Sequence, residues 1–286
     1  MTDSLQIHPL HQIEEFRAAQ AVMAETWGYQ GDDVVPVPTL IATNHAGGLV
    51  AGAFLEGGLV GFCYAFPGHQ DGEFLLYSQM TAVHPDHRGR GLGRAIKLYQ
   101  REWALDQGFR RIRWTFDPLM ATNARFNLHL LGATAIRYYV DFYGRSSSPL
   151  HGTLPTDRFL ADWDLDSPRV EALARGLRDP LAGTPDALPL SPLYDLVPGP
   201  DDRPVPGPVR ELDPARRPRL IAPIPADFLG LGRTAPEAAS AWRMSTRSAF
   251  QDALEAGYRF DDFAGPADVP PGGSGGYLLA AAPDRR

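Results

Sequence analysis

The chain of 286 residues has a single cysteine, Cys63. That excludes an internal disulfide and a cysteine-type zinc site, and makes a reducing cytoplasm the expected compartment. Lys97 is the only lysine among 27 basic residues, which an arginine-biased composition accounts for. No apolar run approaches the roughly 20 residues of a membrane span. The opening MTDSLQIHPL lacks the basic and apolar stretches of a signal peptide, so no membrane partner is expected. The formal charge is −7 and there is no long basic run, which argues against nucleic acid as a partner. Two phosphate-binding motifs are also missing. Gly-Lys-Ser/Thr does not occur, and a GxGxxG begun at Gly89 would need glycine at Arg94. Begun at Gly91, it would need glycine or alanine at Ile96.

What is present is a focus of positive charge. Arg88, Arg90, Arg94, Lys97, Arg101, Arg110, Arg111 and Arg113 face only Glu102 and Asp106 over the same stretch. An isolated charge run is usually a solvated surface, but this one coincides with a glycine-rich turn and so suits an anionic ligand.

Residues 1–165 alternate between strand and helix periods. SLQIHPL reads as a strand and HQIEEFRAAQAVMAETWG as an amphipathic helix ending near Gly28. LVAGAFLEGG, LVGFCYAFPG and EFLLYSQMTAV read as an antiparallel meander. Leu92, Ile96, Tyr99 and Trp103 form a helical stripe that stops at Gly108. RRIRWTFD is a strand, ATNARFNLHLLG a short helix, and TAIRYYVDFYG and DRFLADWDL two further strands. Residues 180–218 then hold 11 of the 27 prolines, so 166–218 is expected to be a linker or irregular wrap. Residues 219–286 predict a smaller αβ extension packed on the first domain. In it, Thr234 and Glu237 open a helix as a capping box, with Ala238, Trp242, Ala249 and Ala253 on its apolar face. The fold class expected is α/β, with a mixed sheet.

The turn reads Arg88-Gly89-Arg90-Gly91-Leu92-Gly93 between a strand ending at Val83 and a helix beginning near Gly91. Glycines there let backbone N–H groups turn inward, and the helix N-terminus adds partial positive charge, so the site suits a pyrophosphate. The stretch Val83–Gly93, V-x-P-x-x-R-G-x-G-x-G, after a meander and before an amphipathic helix, resembles the GNAT superfamily of acyl-CoA-dependent N-acyltransferases. The likeness covers roughly residues 1–165. It implies a coenzyme A pyrophosphate cradled by the amides of Arg88, Gly89, Arg90, Gly91, Leu92, Gly93 and Arg94. It also implies a pantetheine arm beside Thr81, Ala82 and Val83. A narrower likeness, carried by RWTFDPLMATNARFNLHLLGA, YYVDFYG, TDRFLADW and the late IPADF, is to a bacterial subgroup with the same extended tail. That subgroup keeps company with enzymes handling N-succinyl amino acids, so succinyl-CoA joins acetyl-CoA as a donor.

The family pattern breaks in two places. Its usual proton-donating tyrosine, four residues before the helix-ending glycine, falls here on Leu128. Tyr138, Tyr139 and Tyr143 are the substitutes, although aromatic strand residues are more often core; Tyr143 is preferred, and water is an alternative. Its asparagine position falls on Ala121, leaving Asn123 and Asn127, four apart on one helix face. Either could contact coenzyme or acceptor, or simply face solvent. For deprotonating the amine, Glu73, His84, Asp117 and Asp141 are candidates; His84 could instead cap the turn. Cys63 is expected to be buried rather than acylated. Asp157 and Arg158 could form a structural salt link, or Arg158 could clamp the carboxylate of an acceptor. Arg243 and Arg247, four apart beside the stripe of the late helix, could reach the acceptor or the coenzyme, with Arg247 taken as the second acceptor candidate and rim packing as the alternative for both.

The chain is thus expected to transfer an acetyl or succinyl group from a CoA thioester to the amine of a small metabolite, foremost an amino acid, with no metal. An acyl-CoA sensor and a protein or peptide N-acetyltransferase are the alternatives. Dimerisation is left open.

Overall fold

The computed structural model describes residues 4–29, 34–144, 154–177, 190–212, 219–265 and 275–282. Two units result. One holds the described residues of Met1–Trp114 together with Asp164–Asp166. The other holds those of Thr115–Ser146, His151–Trp163 and Ser167–Arg286.

In the first unit, β1 (Gln6–Pro9), β2 (Leu49–Leu55), β3 (Gly58–Gln70) and β4 (Glu73–Val83) lie side by side in that order, all antiparallel. β5 (Arg111–Phe116) then joins β4 in parallel, Leu76 opposite Ile112 and Tyr77 opposite Arg113. Strand side chains alternate between faces, and the meander uses both. Phe62, Tyr64 and Ala82 pack with Phe16, Ala19 and Met23 of α1 (Ile13–Trp27) and Leu40 of α2 (Val37–His45). Ala51, Ala53 and Cys63 point the other way, to Leu92 and Ile96 of α3 (Leu92–Asp106). Glu15 starts α1 by accepting from the backbone N–H groups of His11 and Gln12 at 2.8 and 3.0 Å. On β4 the register passes from Tyr64–Met80 to Ala65–Ser78, so Gln79 is the extra residue of a bulge.

The second unit has the strand order β7 (Arg158–Asp164), β6 (Thr134–Tyr139), β12 (Tyr258–Ala264), β13 (Gly276–Ala281), β11 (Leu220–Pro223), β8 (Ser191–Pro192). Late strands therefore extend the sheet begun by β6 and β7, with Phe260 of β12 opposite Ala135 of β6. The long helix α7 (Pro236–Glu255) buries Ala238, Trp242, Ala249 and Ala253, as its stripe predicts, and also Arg243, Thr246 and Phe250. Phe159 of β7 meets Phe250, Phe260 and Tyr277 at ring-centroid distances of 5.3, 4.6 and 5.5 Å, so β7, α7, β12 and β13 share one aromatic core.

Local expectations fail where a neighbour outweighs the motif. Thr234 does not cap α7. It ends α6 (Phe228–Thr234), where its hydroxyl donates to Gly230 O at 2.9 Å, and α7 begins on Ala235 and Pro236 instead. The ATNARF helix is one α turn, α4 (Ala121–Ala124), followed by a π-helical turn over Arg125–Leu130. Strand β6 stops at Tyr139, which leaves Asp141, with φ +46°, and Tyr143 in the turn beyond it. Within the proline-rich span, residues 178–189 and 213–218 lie outside the described residues. The rest forms α5 (Pro168–Ala174), the edge strand β8 and a two-stranded ribbon of β9 (Tyr194–Pro198) with β10 (Pro204–Val209). Edge and ribbon strands tolerate prolines because half their N–H groups need no ladder partner.

Candidate active site

The glycine turn is built by its own backbone. After β4, the Nδ1 of His84 accepts from Asp86 N at 3.3 Å, His87 N donates to His84 O at 2.9 Å, and Arg88 Nε returns to Val83 O at 3.2 Å. Gly89 and Gly91 have φ +75° and +80°, the left-handed region that suits glycine. Among the described residues, a Cβ on either would meet no atom within 4 Å beyond its chain neighbours and the helix's own backbone, so these glycines serve backbone shape. The first amide bonded inside α3 is Ala95 N, to Gly91 O at 3.1 Å. The N–H groups of Leu92 and Gly93 therefore leave the helix end outward. Arg88 and Arg90 are exposed, and Leu92 is buried as the turn's apolar anchor. Together these features offer an anion outward-facing amides, a helix N-terminus and arginines. Thr81, Ala82 and Val83 lead into the turn on β4. Thr81 pairs with Cys63, and its buried Oγ1 has no partner among the described residues.

Under α3, the same unit buries Lys97. Its Nζ lies 2.7 Å from Gln100 Oε1, 3.1 Å from Ser78 Oγ and 3.9 Å from the centroid of the Trp114 ring. Burial pushes this amine down to about 7 and the Cys63 thiol, on β3, up to about 11. Cys63 is thus a buried thiol, as expected, and a poor nucleophile.

The base candidates are each held by protein partners. His84 Nε2 is 2.7 Å from Glu25 Oε2 while its Nδ1 accepts from the turn, so both ring nitrogens are engaged. Glu73 is 3.1 Å from Arg111, ten residues along β4 from the turn. Asp141 accepts from the N–H and hydroxyl of Thr156 at 3.0 and 3.2 Å. Burial opposes ionisation of Asp117, but Arg243, with two hydrogen bonds of 2.7 and 2.9 Å, holds its carboxyl below the usual range, with Arg158 assisting.

The acceptor candidates lie in the second unit. The expected Asp157–Arg158 link is replaced: Asp157 pairs with Arg247 and takes the Tyr138 hydroxyl at 2.6 Å and the Asp141 N–H at 3.0 Å. Arg158 turns to Asp117 at 3.7 Å, and its guanidinium carbon sits 5.2 Å above the Tyr143 ring. Burial, and then the Asp157 carboxylate, pushes the Tyr138 phenol up, so it stays a protonated donor to Asp157. Tyr143 differs: it is about half exposed, with its hydroxyl 3.1 Å from Thr115 Oγ1. Asn127 is buried in the π-helical turn beside fully buried Leu128, whereas Asn123 is exposed. Among the described residues no group of three or more His, Cys, Asp and Glu could hold a metal ion, and no helix is long and apolar enough to cross a membrane.

Sequence reasoning missed Ser78 and the burial of Lys97, and it placed Arg243 as a rim or acceptor arginine where the structure pairs it with Asp117. For Lys97 a signal existed: a sole lysine directly after Ile96, on the helix stripe. For the Asp117–Arg243 pair, whose members are 126 residues apart, there was none.

Residues 11–129 match the model of the acetyltransferase (GNAT) family. Among solved structures, the ribosomal-protein-S18-alanine N-acetyltransferase of Escherichia coli is 15% identical, covering 57% of this chain and 96% of its own, with a TM-score of 0.46. An N-acetyltransferase of Staphylococcus aureus Mu50 is 14% identical, covering 57% and 99%, also at 0.46. Arabidopsis thaliana Naa50 in complex with the bisubstrate analogue CoA-Ac-MVNAL is 14% identical, covering 56% and 97%, at 0.45. No curated protein matches the chain.

Proposed function

From the match of residues 11–129 to the acetyltransferase (GNAT) family model, we propose that the protein is an acyl-CoA-dependent N-acyltransferase acting on the amine of a small metabolite, foremost an amino acid. Acyl-CoA supplies an activated thioester, with acetyl and succinyl as the acyl groups. The observation that carries this reading is the turn at Gly89 and Gly91, whose positive-φ backbone leads into the N-terminus of a 15-residue helix.

In this reading the amides and arginines of residues 88–94 hold the pyrophosphate, with Thr81–Val83 beside the pantetheine arm. Asn123 and Asn127 are assigned to coenzyme and acceptor contacts. Tyr143, about half exposed and hydrogen-bonded to Thr115, is the proton donor that Leu128 cannot be. Arg158 is assigned to the acceptor carboxylate, because a guanidinium matches a carboxylate's geometry. Arg247 is the second cation on that side. A deprotonating route through water fits the engagement of Glu73, His84, Asp117 and Asp141. The single buried cysteine suits a cytoplasmic setting.

The test is thiol release from acetyl-CoA and succinyl-CoA with a panel of amino acids and peptides. Acceptor-dependent release with amino acids is the expected result; release with peptides alone would replace the acceptor class. A second reading, an acyl-CoA sensor, draws on the buried Leu128 at the family's acid position. Tight acyl-CoA binding with no release for any amine would select it.

A further inference from the structure

The pairing of β4 with β5 ends, among the described residues, at Tyr77 and Arg113. The next residue on each strand is Ser78 and Trp114, and Lys97 reaches both, at 3.1 Å from Ser78 Oγ and 3.9 Å from the Trp114 ring centroid. One residue further along β4 is the bulge at Gln79. The amine of Lys97 therefore stands in the crotch of a fork between two strands, tied to the side where β4 changes course.

Such a group is a poor choice for stability. Burying an amine costs free energy that an apolar side chain of the same length avoids. Its neighbour Gln100 accepts from it through Oε1 at 2.7 Å, but Gln100 Nε2 is then buried without a partner among the described residues. The depressed proton affinity of Lys97 records the same cost. The Cys63 thiol of β3, which burial keeps protonated, also acts on it. What the amine gives, and a methionine would not, is a hydrogen bond that anchors Ser78 beside the bulge.

We propose that Lys97 is a positioning residue for acyl transfer, acting through Ser78 to fix the bulged backbone of β4 at its fork with β5. This rests on the acyltransferase reading, in which that stretch of β4 lies along the acyl thioester and backbone N–H groups polarise its carbonyl. Lys97 touches no substrate. It sets the aim of the strand that does.

The test compares Lys97→Met, Ser78→Ala and the double variant with the parent in four measurements: melting temperature, CoA affinity by calorimetry, kcat, and amide hydrogen exchange along β4. Lys97→Met is expected to melt no lower than the parent and to bind CoA within about threefold, while kcat falls at least about thirtyfold. The double variant should be no slower than Lys97→Met alone, because the two residues act as one unit. Amides of residues 78–81 should exchange at least about tenfold faster in Lys97→Met, with those of residues 60–65 on β3 unchanged. Additive losses in the double variant, or kcat and exchange both like the parent's, would overturn the proposal. If the parent releases no thiol with any amine, the acyltransferase reading falls, and exchange alone decides whether Lys97 holds the fork. Should Lys97→Met not fold, Lys97→Gln carries the same readings.

Discussion

Arg247 grips Asp157 with two nitrogens, Nε to Oδ2 and Nη2 to Oδ1, each at 2.9 Å. The carboxylate is wholly buried and the arginine mostly so. Breaking a buried pair from one side strands the remaining charge, at a cost of about 3–5 kcal/mol. Arg247→Gln should therefore lower the melting temperature by roughly 6 °C or more in scanning calorimetry. An unchanged melting temperature with a raised acceptor KM would mean that Tyr138 and the Asp141 amide suffice for Asp157. Arg247 would then be serving the acceptor.

Gly91→Val places a branched side chain at φ +80°, before the turn. Among the described residues no atom is displaced, so circular dichroism should stay native. The Kd for CoA should rise at least about tenfold, or about 1.4 kcal/mol. Parent-like affinity in titration calorimetry would remove the turn from the coenzyme site.

Tyr143→Phe removes the hydroxyl next to Thr115 but keeps the ring beneath Arg158. If that hydroxyl protonates the leaving thiolate, kcat should drop by roughly a hundredfold with CoA affinity unchanged. A parent-like kcat would hand the proton to water.

Lys97 also shapes the pH dependence of stability. Its folded value, about 7, lies below the unfolded value of 10.5. Between these the unfolded chain carries a proton that the folded chain lacks, so unfolding free energy should rise with pH. Below about pH 7 both states are protonated and this dependence vanishes. Above 9.0 the buried Cys63, raised to about 11, works in the opposite direction. Urea unfolding from pH 7 to 9 should thus show a positive slope, and Lys97→Met should flatten it. An equal slope in both proteins would mean that the lysine keeps its usual proton affinity.

What could be read from the sequence was what short-range chemistry determines. Alternating apolar residues in LVGFCYAF require two faces, and Phe62 and Cys63 do sit in opposite cores. Glycines at 89 and 91 require a turn with positive φ, and they form one. Helix α2 escaped notice because VPTLIATNH buries a single residue, Leu40, and so shows no stripe. Thr234 misled because a second helix ends on the residue that should have begun the next. Distant pairings left no trace at all. Tyr138 reads more readily as core than as acid until Asp157 is found at its hydroxyl, and Lys97 looks like any surface cation until Ser78 and Trp114 close around it.

The aromatic core around Phe159 also imposes an order on biosynthesis. Phe116 and Tyr138 already stand beside it when it is made, but Phe250, Phe260 and Tyr277 do not, so its core is complete only after more than a hundred further residues. At cellular elongation rates of roughly 5–20 residues per second, that delay is on the order of ten seconds. During it Phe159 has only part of its core, while the meander and α3 already have their partners. A nascent chain stalled within the proline-rich span would therefore carry a formed amino-terminal meander followed by a strand whose Phe159 is still partly uncovered.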